Sequence, residues 1–122
     1  MILDEKKLKR IYSMKFKDVY PLYIAKVLKK NRTKEELDQI IQWLTGYTND
    51  EIENHIEKQS NFEIFFKNAT NYSEDESKIT GTICGYKIEE IEDDIVKKMR
   101  QMDKIVDELA KGKSIEKIFR KL

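Results

Sequence analysis

One cysteine and one histidine are the side chains in this 122-residue sequence from which covalent or proton-transfer chemistry could start. Cys84 stands in the run Thr-Gly-Thr-Ile-Cys-Gly-Tyr, where flanking glycines would let a substrate or another backbone come close. A nucleophilic cysteine needs a base within reach to form its thiolate. The sole histidine, His55, lies 29 residues earlier in a separate helical segment, and nothing in the spacing brings the two together. The simpler reading makes Cys84 a small buried hydrophobe packed beside its glycines, and His55 a packed or surface side chain. A single His and a single Cys leave no second soft ligand for zinc. The carboxylates Glu89, Glu90, Glu92, Asp93 and Asp94 do not follow the spacing of a calcium loop, and acidic residues ahead of a helix are explained by its dipole. Gly81 and Gly85 lack the continuation of a phosphate-binding loop or a dinucleotide fingerprint. The candidates are therefore Cys84 and His55 for catalysis and Trp43, Tyr47 and Tyr86 for a ligand-binding surface, with no metal ligands and no cofactor expected.

These residues need elements to hold them, and the pattern is mostly helical. Glycine (4) and proline (1) are scarce, and hydrophobic and charged residues each make up 39%, enough for one core under a densely charged surface. Leu3, Leu8, Ile11 and Tyr12 behind Asp4 suggest a short helix or a loosely packed arm over residues 1–13. From Asp18 a second helix is expected to run to about Asn31, with Pro21 in its first turn. Leu22, Ala25 and Leu28 or Val27 should face inward there, and Lys26, Lys29 and Lys30 outward. Thr33 with Glu36, Thr48 with Glu51 and Ser60 with Glu63 each have the spacing of a capping box. Leu37, Ile40, Ile41 and Leu44 share one side of the helix behind the first box, and Gly46 supplies the left-handed residue that ends it. Residues 69–77 read as a loop. Residues 78–92 read as a short helix broken near Gly85, with a small β-hairpin competing because Ile-Thr-Gly-Thr-Ile is β-branched and alternating. After Asp93, the stripe Ile95, Met99, Met102, Val106 and Leu109 marks a long helix ending at Gly112, and Ser114 caps a last short one. That stripe lasts only about two heptads, so it belongs in a core rather than a coiled coil. The expected fold is all-α: one domain over 1–122, a compact bundle of about six helices, with the hairpin at 78–92 as the alternative there.

Net charge is +1 but unevenly spread. Residues 1–34 hold 11 basic against 3 acidic residues (+8), residues 35–95 hold 4 against 16 (−12), and residues 96–122 hold 9 against 4 (+5). If the two basic ends meet in space, they form one face able to attract phosphate or an acidic partner. The helices at 34–45 and 49–58 are joined by a tight glycine turn, as in a helix-turn-helix, but the second carries four carboxylates against one lysine and phosphates would repel it. Nucleic-acid binding is thus confined to nonspecific contact through the basic ends. No run approaches a membrane span, the start has no apolar stretch of a signal peptide, and the lone cysteine suits a reducing compartment. Cytoplasmic location is the expectation.

Several strings are distinctive: Val19-Tyr-Pro-Leu-Tyr-Ile; Arg32-Thr-Lys-Glu-Glu-Leu-Asp-Gln-Ile-Ile-Gln-Trp-Leu-Thr-Gly-Tyr47; Ile79-Thr-Gly-Thr-Ile-Cys-Gly85; Glu89-Glu-Ile-Glu-Asp93; and Asp103-Lys-Ile-Val-Asp-Glu-Leu-Ala-Lys-Gly112. Over roughly residues 9–121 the chain resembles a bacterial family known as domain of unknown function 2200. Where that family usually has a proline after Glu-Asp, this chain has Asp94, which fixes the start of the long helix less sharply. The resemblance implies a stand-alone bacterial protein and supplies no activity or site residue. With no complete catalytic set, the sequence favours a small protein-binding or regulatory module over an enzyme using Cys84, or over nonspecific nucleic-acid binding by the basic termini.

Overall fold

A computed structural model describes residues 4–120. Among them run seven α-helices: α1 (Glu5–Ser13), α2 (Phe16–Lys29), α3 (Lys34–Thr45), α4 (Asn49–Glu57), α5 (Phe62–Lys67), α6 (Asp94–Ala110) and α7 (Ile115–Ile118). A two-stranded antiparallel hairpin, β1 (Thr82–Ile83) and β2 (Tyr86–Lys87), lies between α5 and α6, flanked by 3-10 turns at Glu76–Lys78 and Ile88–Glu90. The mostly helical class is as expected.

The helix starts are set by short polar side chains taking up backbone N–H groups that have no intrahelical acceptor. Thr33 and Glu36, and Thr48 and Glu51, form the two reciprocal boxes anticipated from their spacing. The third box is not made. Asn61 caps α5 by accepting from the Ile64 N–H, and Ser60 turns the other way, to His55. Asp4, Asp93 and Ser114 cap α1, α6 and α7.

The long helix α6 is the spine, packed by α1, α2, α3, α5, α7 and the hairpin. Its stripe Ile95, Met99, Met102, Val106 and Leu109 is buried throughout, against the Leu37, Ile40, Ile41 and Leu44 side of α3 and the Phe62, Phe65 and Phe66 cluster of α5. Gly46 ends α3 with φ 76°, and a Cβ there would lie 2.3 Å from the Asn71 carbonyl oxygen.

Two sequence expectations give way. First, α2 starts at Phe16 rather than near Asp18, so Pro21 sits inside the helix instead of in its first turn. The extended residues Met14–Lys15 pair with the start of α5, through Phe62 N–H to Met14 O (2.8 Å), Phe16 N–H to Ser60 O (3.1 Å) and a bridge between Lys15 and Asn61. Phe16 thereby enters the core and stacks on Phe65 at 4.3 Å between ring centroids. With Phe16 inward, the helical period carries Tyr23 and Val27 in with it and turns Leu22, Ala25 and Leu28 outward. Leu22 is 67% exposed, the reverse of its expected arrangement, and of the two alternatives Leu28 and Val27 it is Val27 that is buried, leaving Leu28 54% exposed.

Second, residues 78–92 adopt the hairpin and not the broken helix. Cys84 (φ 51°) and Gly85 (φ 81°) both occupy left-handed backbone, as the two central residues of a tight two-residue turn require, and Ile83 pairs with Tyr86. Two consecutive left-handed residues end any helix. The hairpin is fastened to α6 by Lys104 Nζ donating to the Thr82 carbonyl (3.1 Å) and by the Arg100 guanidinium over the Tyr86 ring (4.7 Å).

Candidate functional site

The residues singled out from the sequence fall in three places. Cys84 is exposed at the hairpin tip, not packed among its glycines, and no hydrogen bond links it to His55 among the described residues. Tyr86, on the same hairpin, lies under Arg100. Arg100 also ion-pairs with Asp103 at 3.0 Å, and Asp103 accepts from the buried Tyr23 hydroxyl. Burial raises the Asp103 carboxyl above its usual range despite these two donors. Trp43 stacks on Phe119 at 5.0 Å and joins α3 to the chain end.

His55 and Tyr47 do come together, 4.8 Å between ring centroids, with Phe65 against both. The Tyr47 hydroxyl donates to the Phe65 carbonyl (2.6 Å), and His55 Nδ1 lies 2.7 Å from Ser60 Oγ. Ser60 was absent from the sequence candidates because its spacing to Glu63 marked it as a cap. Burial, then the nearby Lys58, lower the His55 pKa, so its imidazole is neutral at neutral pH. The Ser60 N–H donates to the His55 carbonyl and the Ser60 carbonyl accepts from Phe16, so the pair closes the turn between α4 and α5. These contacts account for His55, Ser60 and Tyr47 as parts of a packed corner.

A different surface stands out once α2 is seen in place. The helix is apolar on two sides: Phe16, Tyr23 and Val27 enter the core, while Leu22, Ala25 and Leu28 line an open groove of about 960 Å³ whose opposite wall is the C-terminal end of α6 at Asp107, Ala110 and Lys111. A surface helix of a monomer ordinarily needs one apolar stripe, and the second has no partner among the described residues. Lys26, Lys29, Lys30 and Lys111 rim the groove. Asp107 accepts from both Lys26 (3.1 Å) and Lys111 (2.9 Å); burial alone would raise its carboxyl, but these two hydrogen bonds hold it below the usual range. Lys29 and Lys30 have no ion pair among the described residues, so the rim keeps a net positive charge. Lys111 and Asp107 also line a neighbouring depression with Lys104, Lys113 and Lys117. Three lysines at the end of α2 thus share one face with lysines of α6 and the α6–α7 corner, the part of the two basic ends that lies together here. Sequence reasoning missed Leu22 and Ala25 as surface residues and left Leu28 open against Val27. The available signal was that Tyr20, Leu22, Tyr23, Ile24, Ala25, Val27 and Leu28 leave almost no polar side to the helix.

No helix among the described residues is long and apolar enough to cross a membrane. Over residues 10–120 the chain matches the family described as an uncharacterized protein conserved in bacteria, DUF2200. No curated protein matches it. Its fold is similar to the crystal structure of the uncharacterized protein SP1917, with a TM-score of 0.85, 38% sequence identity and 92% of each chain covered. The match spans all but the chain's extremities, and with it the groove-forming residues of α2 and α6: the chain belongs to the bacterial DUF2200 family.

Proposed function

We propose that this chain is a protein-binding module whose face between α2 and the end of α6 docks an acidic, apolar-bearing segment of a different protein. The observation that carries the reading is the outward pair Leu22 and Leu28, on a helix that already buries its other side. Leaving Leu22 and Leu28 67% and 54% exposed forgoes on the order of 1 kcal/mol each relative to full burial, a driving force that a partner recovers. The lysine rim sets the sign of that partner, since carboxylates opposite Lys29 and Lys30 gain where further lysines would be repelled. A symmetric second copy brings like against like, which disfavours self-association through this face. A nucleic acid would satisfy the lysines but not the leucines, and no aromatic ring stands in the groove to stack a base.

A photocrosslinking amino acid placed at Leu28 in the producing cell, followed by mass spectrometry of the adduct, tests this. The expected adduct joins Leu28 to an acidic segment of another protein and is lost with Leu22→Glu. An adduct to a second copy, to nucleic acid or to lipid overturns the reading, as does crosslinking no greater than from Glu116, placed as a surface control.

A further inference from the structure

We infer that the docked segment is bound as an α-helix, a third helix laid along α2 and the end of α6 with its apolar side on Leu22, Ala25, Leu28 and Ala110. The inference rests on the docking reading above and goes beyond it by fixing the conformation and sequence pattern of the partner.

The groove is poor in side-chain acceptors. Its floor is aliphatic carbon, and the side-chain polar groups around it are four lysine heads, which are donors only, and the carboxylate of Asp107, which two of those lysines already occupy. An extended peptide would carry its backbone N–H groups onto this floor and find no free side-chain acceptor for them. It could satisfy them by joining a sheet edge, but the described residues contain one sheet, a hairpin of two-residue strands built on other residues than those of the groove. A helix brings its backbone hydrogen bonds with it and offers only side chains to the floor.

The floor also has the relief of a helix seat. Leu22, Ala25 and Leu28 succeed one another at single-turn steps along α2, spanning about 9 Å at roughly 1.5 Å rise per residue. Ala25 is small beside its two leucine neighbours, and Ala110 on the opposite wall is small as well. Two alanines with leucines at the ends make a hollow into which one large side chain of a partner fits, as ridges enter grooves between packed helices. Lys26 reaches across to Asp107, while Lys29 and Lys30 rim this line, where their stems can cover the flank of a bound helix and their heads reach carboxylates one turn away. The partner pattern that follows is Leu, Ile, Met or Phe at i, i+3 or i+4, and i+7, with Asp or Glu on both borders of that stripe.

Two display libraries selected against the intact chain test it. In one, large apolar residues vary at helical spacing among Asp and Glu; in the other the same residues alternate with Asp and Glu at every second position. The expected result is that the helical library yields ligands lost with Leu22→Glu and with Leu28→Glu, gaining helical circular dichroism on binding and holding on the order of tenfold or more tighter than the best alternating ones. Both positions are exposed, and unchanged melting of the two variants shows that the loss is of binding rather than of fold. Alternating peptides that bind as tightly and depend on the same leucines overturn the helical inference and leave the docking reading standing, as do helical-library ligands that bind without gaining helix. If neither library yields a ligand dependent on Leu22 or Leu28, both fall.

Discussion

His55 is neutral in the fold because burial, followed by Lys58, holds its pKa below the ordinary 6.5. A histidine whose folded pKa is depressed contributes stability that is present above the unfolded pKa and is lost as pH falls through the folded one, since the unfolded chain takes up the proton more readily. The advantage of the native chain over His55→Gln should therefore be greatest at about pH 8 and shrink steadily below about 6.5, read as the difference in thermal midpoints of the two chains. A difference that stays flat down to about pH 5 would show that the imidazole is as easily protonated folded as unfolded. Gly46 is a sharper case. Gly46 and Gly112 both sit at positive φ, 76° and 97°, but a Cβ on Gly46 meets the Asn71 carbonyl whereas one on Gly112 meets nothing within 4 Å. Gly112→Ala should lose only the left-handed strain, about 1 kcal/mol, and Gly46→Ala should lose at least roughly 1 kcal/mol more. Denaturant midpoints of the two variants give the comparison, and equal losses would mean that the Asn71 turn moves aside freely.

At the scale of the element, the two faces of α2 make opposite predictions from adjacent residues. Val27 is fully buried and Leu28 is 54% exposed. Val27→Ala should cost about 2 kcal/mol, from lost burial and the cavity left behind, while Leu28→Ala should stay within about 0.5 kcal/mol. Chemical denaturation separates the two, and a comparable loss from Leu28→Ala would place that leucine in the core, a position that the period of the sequence left open between Leu28 and Val27. The same helix shows what the sequence could and could not convey. The Thr33–Glu36 and Thr48–Glu51 boxes were legible because each is a contact between residues three apart, complete within its own window. The rotation of α2 was not. It is set by Phe16 stacking on Phe65 and by the Phe16 N–H meeting the Ser60 carbonyl, contacts across more than forty residues that no local window holds. Residues 78–92 were legible only as two alternatives, since Ile79, Ile83 and Tyr86 fit either period. What decided between them was the left-handed backbone at Cys84 and Gly85, and of these two residues only glycine advertises that conformation. The apolar groove was invisible for the same reason as the rotation of α2, since it is the other side of that rotation.

Across the whole molecule, the lysine-bearing end of α2 and the basic α6–α7 corner meet, and Arg32 is the residue that fastens them. Its guanidinium donates to the Leu109 carbonyl (3.1 Å) and the Lys113 carbonyl (2.9 Å) at the α6–α7 corner, and to Glu36 on its own side (2.7 Å). One planar fork thus joins two carbonyls of the α6–α7 corner to the start of α3, adding to the Gly112 N–H that Leu109 already accepts, while its hydrogen bonds keep the Glu36 carboxyl below its usual pKa. Lysine keeps the charge but not the fork, so it can hold Glu36 or the corner carbonyls, not both. Arg32→Lys should therefore lose about 1–3 kcal/mol of stability, with hydrogen exchange quickening most in α7 and the last turn of α6. The same corner is the far wall of the groove, through Ala110 and Lys111, so its loosening should weaken any ligand held on Leu22 and Leu28 without touching either leucine. If Arg32→Lys leaves stability, exchange in α7 and ligand affinity all unchanged, the corner is held by Trp43 on Phe119 and by Ile118 in the core, and the basic face owes its shape to packing rather than to the arginine.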